Sequence, residues 1–316
     1  LCTRIHPPSV DRHGAPHGLL AAMRSPLLEL ESASALVSTA SRQQLRPKLA
    51  TFLKLACASI DQALAVLAGR RQWVGKAAPD TSQPAEGIID SGGGSIADWG
   101  FLGGISSDVA PLPSLLAAKG KQTVVRNWLA LKEAFSLIAL IAAVALRDGR
   151  APMLTSPELD AVTQQLIMAL LTTRHNGAID AGALALEKIC TAALLSTATR
   201  QLPAAWLHGL LETADRGKGT HLRRSAGLPD ALIAVLHAEK SSSSRTAPLF
   251  ATAAAFLVRR AHEASVTPAV EEDTDVGRVH AINLLRAIFC DGRLSFQSNG
   301  YVSSGFEAAF SGLGST

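Results

Sequence analysis

"AFSLIALIAAVAL", residues 134–146, is the stretch on which the reading of the fold turns. Thirteen uncharged residues follow Lys132-Glu133 and stop at "RDGR" (147–150). A bilayer asks for about 20 consecutive apolar residues. The run therefore predicts a buried core helix rather than a membrane span, and no membrane insertion. The composition agrees. Hydrophobic residues make up 47% and charged residues 18%, enough for a sizeable core. Aromatics are only 4%, so Ala and Leu do the filling. That favours helices packed through small side chains over a β-sandwich, which draws on β-branched and aromatic residues.

Working outward, "LRPKLATFLKLACASIDQALAVLAG" (45–69) places Leu45, Leu49, Phe52, Leu53, Leu55, Ala56, Ile60, Leu64 and Leu67 on one broad helical face. The helical pattern spans about Ser25 to Leu67, and Gly69 is expected to close it. Residues 1–71 are read as a helical segment. Residues 72–122, rich in Gly, Ser, Pro and Asp, are read as a flexible insertion. From Thr123 onward helices are predicted over 123–146, 156–172, 179–197, 203–214, 229–239, 248–263, 276–289 and 301–310, each break marked by turn chemistry such as "RHNG" or "CDGRL". Ser156 is expected to cap a helix with Pro157 behind it. The first helices of successive pairs, near Thr123, Ile179, Pro229 and Val276, recur at 56, 50 and 47 residues, loosely matching the about 40–47 of HEAT and armadillo repeats. The expectation is an all-α, irregular armadillo/HEAT-like α-solenoid, with an ordinary helical bundle as the competitor. The chain starts at Leu1 and stops at "FSGLGST" within a continuing pattern, so it is read as a fragment of a longer solenoid, truncated at its C-terminus.

The formal charge is +4 and the pI about 9.0. That permits contact with nucleic acid without arguing for it. Cys57, Cys190 and Cys290 fall in apolar helical patterns and Cys2 in the polar start, with no CxxC spacing. They read as reduced cysteines of a cytosolic or nuclear protein, and no metal site is expected. "DSGGGSIADWG" (90–100) lacks the G-x-G-x-x-G order because position 97 is Ala, and "GKGT" (217–220) lacks the upstream spacing of a phosphate loop. No nucleophile, base and orienting group can be assembled. The sequence argues against an enzyme.

The unusual stretch is "HLRRSAGLPDALIAVL" (221–236). Pro229 disfavours helix at Leu228, and Gly227 can take a positive φ, so a break is predicted here. A break bares the N–H groups of the next helix, which suit a phosphate or a carboxylate. Arg223 and Arg224 supply planar donor forks, Ser225 a cap or donor, and Arg216, Lys218 and His221 extend the positive surface. The alternative is that one arginine pairs with a neighbouring carboxylate and the other is solvated. In the helix at 276–289, Val279, Ile282, Leu285 and Phe289 are read as the apolar side. His280, Asn283 and Arg286 form a polar row that either lines a binding face or satisfies backbone groups between helices. Lys132 and Glu133 suggest an inter-helix ion pair, His175 a cap, and Trp128 and Trp206 core positions.

Four strings in this order, "RNWLALKEAFSLIALI" (126–141), "RHNGAID" (174–180), "HLRRSAGLPDALIAVLHAE" (221–239) and "VHAINLLRAIFCDGRL" (279–294), closely resemble the central conserved domain of the thyroid adenoma-associated (THADA) protein family. The resemblance covers about Thr123 to the end, here 123–316. Asn176 stands where a lysine-like residue is common. The resemblance implies a large solenoid of which this is a middle piece. It also implies a cytoplasmic, non-catalytic subunit that partners an FtsJ-type methyltransferase and helps present the tRNA anticodon loop for 2′-O-ribose methylation. No cofactor is expected on this chain, and S-adenosylmethionine would sit on the partner subunit. The motif associated with that function maps onto Arg223, Arg224, Ser225, Ala226, Gly227, Leu228 and Pro229 without a substitution. Animal relatives linked to calcium-pump regulation and energy metabolism imply the alternative, a protein-interaction scaffold without RNA contact.

Overall fold

The computed structural model describes residues 17–32, 39–74, 112–148, 152–216, 227–241, 247–262 and 271–311. Every regular element among them is helical: α1 (His17–Ser32), α2 (Thr39–Val74), α3 (Leu112–Leu146), α4 (Ser156–Thr172), α5 (Asn176–Leu195), α6 (Leu202–Arg216), α7 (Leu228–Ser241), α8 (Pro248–His262), α9 (Glu271–Cys290), α10 (Ser295–Ser298), a 3-10 turn (Asn299–Tyr301) and α11 (Val302–Ser311). The all-α expectation holds.

The helices sort into two layers. Each odd-numbered helix up to α9 packs on the next odd one, and α9 on α11, while α2, α4, α6 and α8 pack in the same way on each other. The 134–146 run lies at the centre of the first layer. Ala134, Phe135, Leu137, Ile138 and Ile141 are buried, and α3 receives α1, α2 and α5 on its flanks. Small residues permit that crowding. A Cβ on Gly182 of α5 would sit 2.7 Å from Leu170 Cδ2 and 3.2 Å from Phe135 Cε2, so a larger residue would have to displace the Leu170 side chain at this three-helix junction.

The boundaries differ from the sequence reading in instructive ways. The stretch read as one helix from Ser25 is two, and α1 runs through Pro26. Burial of Leu20 and Leu27, together with an Arg24–Glu133 ion pair at 2.5 Å onto α3, holds α1 in place. This is the inter-helix pair expected of Glu133, while Lys132 is exposed. The α2 backbone continues past Gly69 to Val74, and α3 starts at Leu112, so both flanks of the glycine-rich stretch are helical. Residues 75–111 lie outside the described residues. The apolar stretch is also longer than the thirteen-residue run. Ser41–Leu67 and Thr123–Leu146 both meet the length and composition of a membrane span, and most of the second is buried inside the protein.

α4 shows how local chemistry sets an end. The cap is Thr155, one residue before the expected Ser156. Its hydroxyl accepts from Glu158 N, while Glu158 accepts from Thr155 N at 2.8 Å, with Pro157 in the first turn. Such a cap stabilises by about 1 kcal/mol. Ser156 instead donates to Ala198 O at 2.6 Å, tying α4 to the α5–α6 turn. Trp206 is buried as expected and donates Nε1–H to Asp160 Oδ1 at 2.7 Å, joining α6 to α4.

Candidate partner-binding site at the start of α7

The descending chain re-enters the described structure at Gly227, which explains itself by contact. Its N–H donates to Leu170 O, the last turn of α4, at 3.3 Å. A Cβ there would meet Leu170 O at 2.9 Å and Ile179 Cγ2 at 3.3 Å. Its φ is not in the left-handed region, so close approach, not the expected positive φ, demands glycine. Leu228, buried at 1% exposure, is already helical. The break therefore falls one residue earlier than predicted. Pro229 follows in the first turn, where its missing N–H costs no bond. Arg223, Arg224, Ser225 and Ala226, with Lys218 and His221, lie outside the described residues. Arg216 closes α6, and its side chain is outside them too.

Around Gly227 the structure gathers groups the sequence reading did not join. Asp230, in the first turn of α7, is pushed up by burial, and nearby Asp180 of α5 adds to the rise. His175 caps α5 by position but makes no side-chain cap bond. Its ring instead stacks on Trp128 of α3, centroids 4.5 Å apart and 12° from parallel. Trp128 is only half-buried, short of the core position expected. Burial holds His175 below the ordinary histidine value, with Asp180 opposing.

On α9 the polar row divides. Asn283 and Arg286 are exposed, but His280 is 3% exposed and held low by burial. His280 lies in the buried stripe with Gly277, Ala281, Leu284, Leu285 and Ile288, between helices, one of the two places left open for this row. Of the residues read as the apolar side, Leu285 is buried and Ile282 and Phe289 pack against the core, while Val279 faces solvent. Cys290 likewise proves exposed. Cys190 is fully buried, and burial pushes its thiol far up. Cys57 is pushed up to about 11 by burial and by Asp61.

The four sequence strings meet one another in space. Trp128 on His175 joins the first to the second, and Gly227 against Ile179 joins the second to the third. His237 Nε2, 2.9 Å from Asp291 Oδ1, joins the third to the fourth. Asp291 also accepts from the N–H groups of Arg293 at 2.8 Å and Leu294 at 3.2 Å. Burial alone would raise its carboxyl, but His237 and these N–H groups hold it below the usual value. Arg293 forks onto Glu187 of α5 at 3.0 and 3.2 Å. Glu239, buried at the end of α7, accepts from Leu249 N at 2.7 Å and Phe250 N at 2.9 Å, completing the first turn of α8. Sequence reasoning passed over His237, Glu239 and Asp291, although each lies inside a quoted string. Among the described residues, no group of three His, Cys, Asp or Glu side chains is placed to hold a metal ion.

A two-layered helical protein with its distinctive string rooted at a helix junction is the class these features define. A family model described as THADA/TRM732, DUF2428 matches residues 77–316, and the chain belongs to that family. It is 27% identical over 233 residues to the mouse tRNA (32-2′-O)-methyltransferase regulator THADA, covering 66% of this chain and 12% of the relative. It is 26% identical over 228 residues to the fission yeast (Schizosaccharomyces pombe) tRNA (32-2′-O)-methyltransferase regulator trm732, covering 71% of this chain and 14% of the relative. Against the human regulator THADA the figures are 26% over 196 residues, 59% and 10%. The chain thus spans only about a tenth to a seventh of the length of these relatives. No solved structure matches.

Proposed function

We propose that this chain is a non-catalytic part of a regulator of tRNA 2′-O-ribose methylation. It is an irregular armadillo/HEAT-like solenoid that works with a methyltransferase of FtsJ type on the tRNA anticodon loop. The observation that carries the reading is the unbroken Arg223–Pro229 string in a chain of this family, anchored by Gly227 on α4 and α5. The names of the mouse and yeast relatives support the regulatory role. The layered packing of odd on odd and even on even helices supports the solenoid, since stacked helix pairs bury faces that no single pair can. In this reading Arg223 and Arg224 meet an anionic partner, chemistry and S-adenosylmethionine belong to the methyltransferase, and the complex is cytoplasmic.

The test replaces Arg223 and Arg224 by alanine in the whole protein and reads 2′-O-methylation at tRNA position 32 in cells. Loss of the mark with unchanged protein level is expected. Normal methylation would overturn the role of the pair. A second reading, a scaffold that contacts proteins without RNA, is favoured by a shallow groove on α3 between α1 and α5. Its two adjoining parts have volumes of 480 and 430 Å³, and Leu28, Leu184 and Leu195 stand exposed along it. Recovery of the methyltransferase without tRNA would select that reading.

A further inference from the structure

The corner where α4 turns into α5 holds polar atoms that no described residue satisfies. Trp128 Nε1, Thr173 Oγ1 and His175 Nδ1 are each shielded from solvent and have no hydrogen-bond partner among the described residues. Buried polar groups are nearly always bonded, so three in one corner mark a place completed by something else. Thr173 is 3% exposed, while Trp128 and His175 are half-buried and stacked. Two cations flank the stack. Arg174 is exposed beside His175, and Lys132 is exposed one turn beyond Trp128 on the same face of α3. The start of α5 carries no side-chain cap bond and no acidic residue in its first turn. The root of the arginine string is close, because Gly227 touches Ile179, one turn along α5 from His175.

We propose that this corner holds one nucleotide of a single-stranded RNA loop, its base on the Trp128–His175 stack and its phosphate on Arg174 and the open start of α5. The inference rests on the RNA reading of the neighbouring arginine string. A stacked aromatic pair offers a face that any base can use. A guanidinium beside an uncapped helix start is the usual setting for a phosphate. Burial holds His175 below the ordinary histidine value, which favours the neutral ring as a stacking surface. A nucleotide whose seating shifts the half-buried Trp128 and His175 rings gives the orphaned nitrogens and the Thr173 hydroxyl polar partners that the described residues lack.

The test uses the whole protein and two labelled RNAs, a hairpin with an unpaired loop and the same stem as a blunt duplex. Trp128→Leu and His175→Ala should each weaken hairpin binding roughly five- to a hundredfold and leave duplex binding unchanged. His175→Tyr, which keeps a stacking ring, should retain hairpin affinity, and circular dichroism checks that each variant folds. Arg174→Ala should flatten the slope of log affinity against log salt by roughly 0.7. Wild-type hairpin binding that falls with Arg223→Ala and Arg224→Ala but ignores Trp128 and His175 overturns this site alone. A wild type that binds neither RNA overturns the RNA reading as well. Stack variants that keep the hairpin but lose the methyltransferase make the corner a protein contact and overturn the proposal.

Discussion

Replacing Gly227 by alanine drives a methyl group against a backbone carbonyl. The added carbon would stand 2.9 Å from Leu170 O and 3.3 Å from both Ile179 Cγ2 and Leu170 Cδ2. The nearest atom is backbone, fixed in the last turn of α4, so relief requires α7 or α4 to shift by several tenths of an ångström. Overpacking of this kind costs about 1–3 kcal/mol. Alanine returns about 0.4–1 kcal/mol by restricting the unfolded chain. The φ at this position adds no strain term. The net expectation is a loss of about 1–2 kcal/mol. For 316 residues that is a fall in Tm of roughly 1.5–3 °C. Thermal and urea unfolding followed by circular dichroism measures it. Gly209 in α6 is the internal control, because a Cβ there meets nothing within 4 Å. Gly209→Ala should stabilise by about 0.5–1 kcal/mol through helix propensity. If Gly227→Ala matches Gly209→Ala, the close approach at the root of the arginine string is wrong.

Other perturbations probe other junctions. Glu239→Ala should destabilise by about 2–4 kcal/mol in urea unfolding, since it leaves the N–H groups of Leu249 and Phe250 buried without acceptors. Glu239→Gln, which keeps one acceptor, should cost less. Burial holds His175 and His280 below the ordinary histidine value in the folded state. Their contribution to stability is therefore complete above about pH 6.5 and is lost as pH falls through the lowered values. Replacing His175 by phenylalanine should flatten the decline in Tm between about pH 7 and pH 5. Thiol labelling of the native chain should modify exposed Cys290 long before buried Cys190, and equal rates would contradict the burial of α5.

The centre of the fold was legible because α3 states it twice, in an uninterrupted apolar run and in the polar residues that bound it. The ends were less so. The sequence reading began its first helix at Ser25 and so missed the first half of α1, which runs through Pro26 and buries Leu20 and Leu27. On α9, Val279 was placed on the apolar side yet faces solvent, because its neighbours permit either phase. A buried histidine among alanines and leucines follows from what α9 packs against, which a single sequence does not contain. The candidate site was legible as a string but not as a place. Gly227, read for its backbone freedom, is there for its lack of a side chain. The Trp128–His175 stack joins positions 47 residues apart that no local pattern connects.

Glu239 carries a consequence for how the chain comes apart. The first turn of α8 draws its acceptors from the last turn of α7, so α8 has no complete start of its own. Opening α7 strips two amides of α8 at the same moment. The two helices should therefore exchange their amide hydrogens as one unit, with Leu249 and Phe250 keeping time with α7 rather than with the rest of α8.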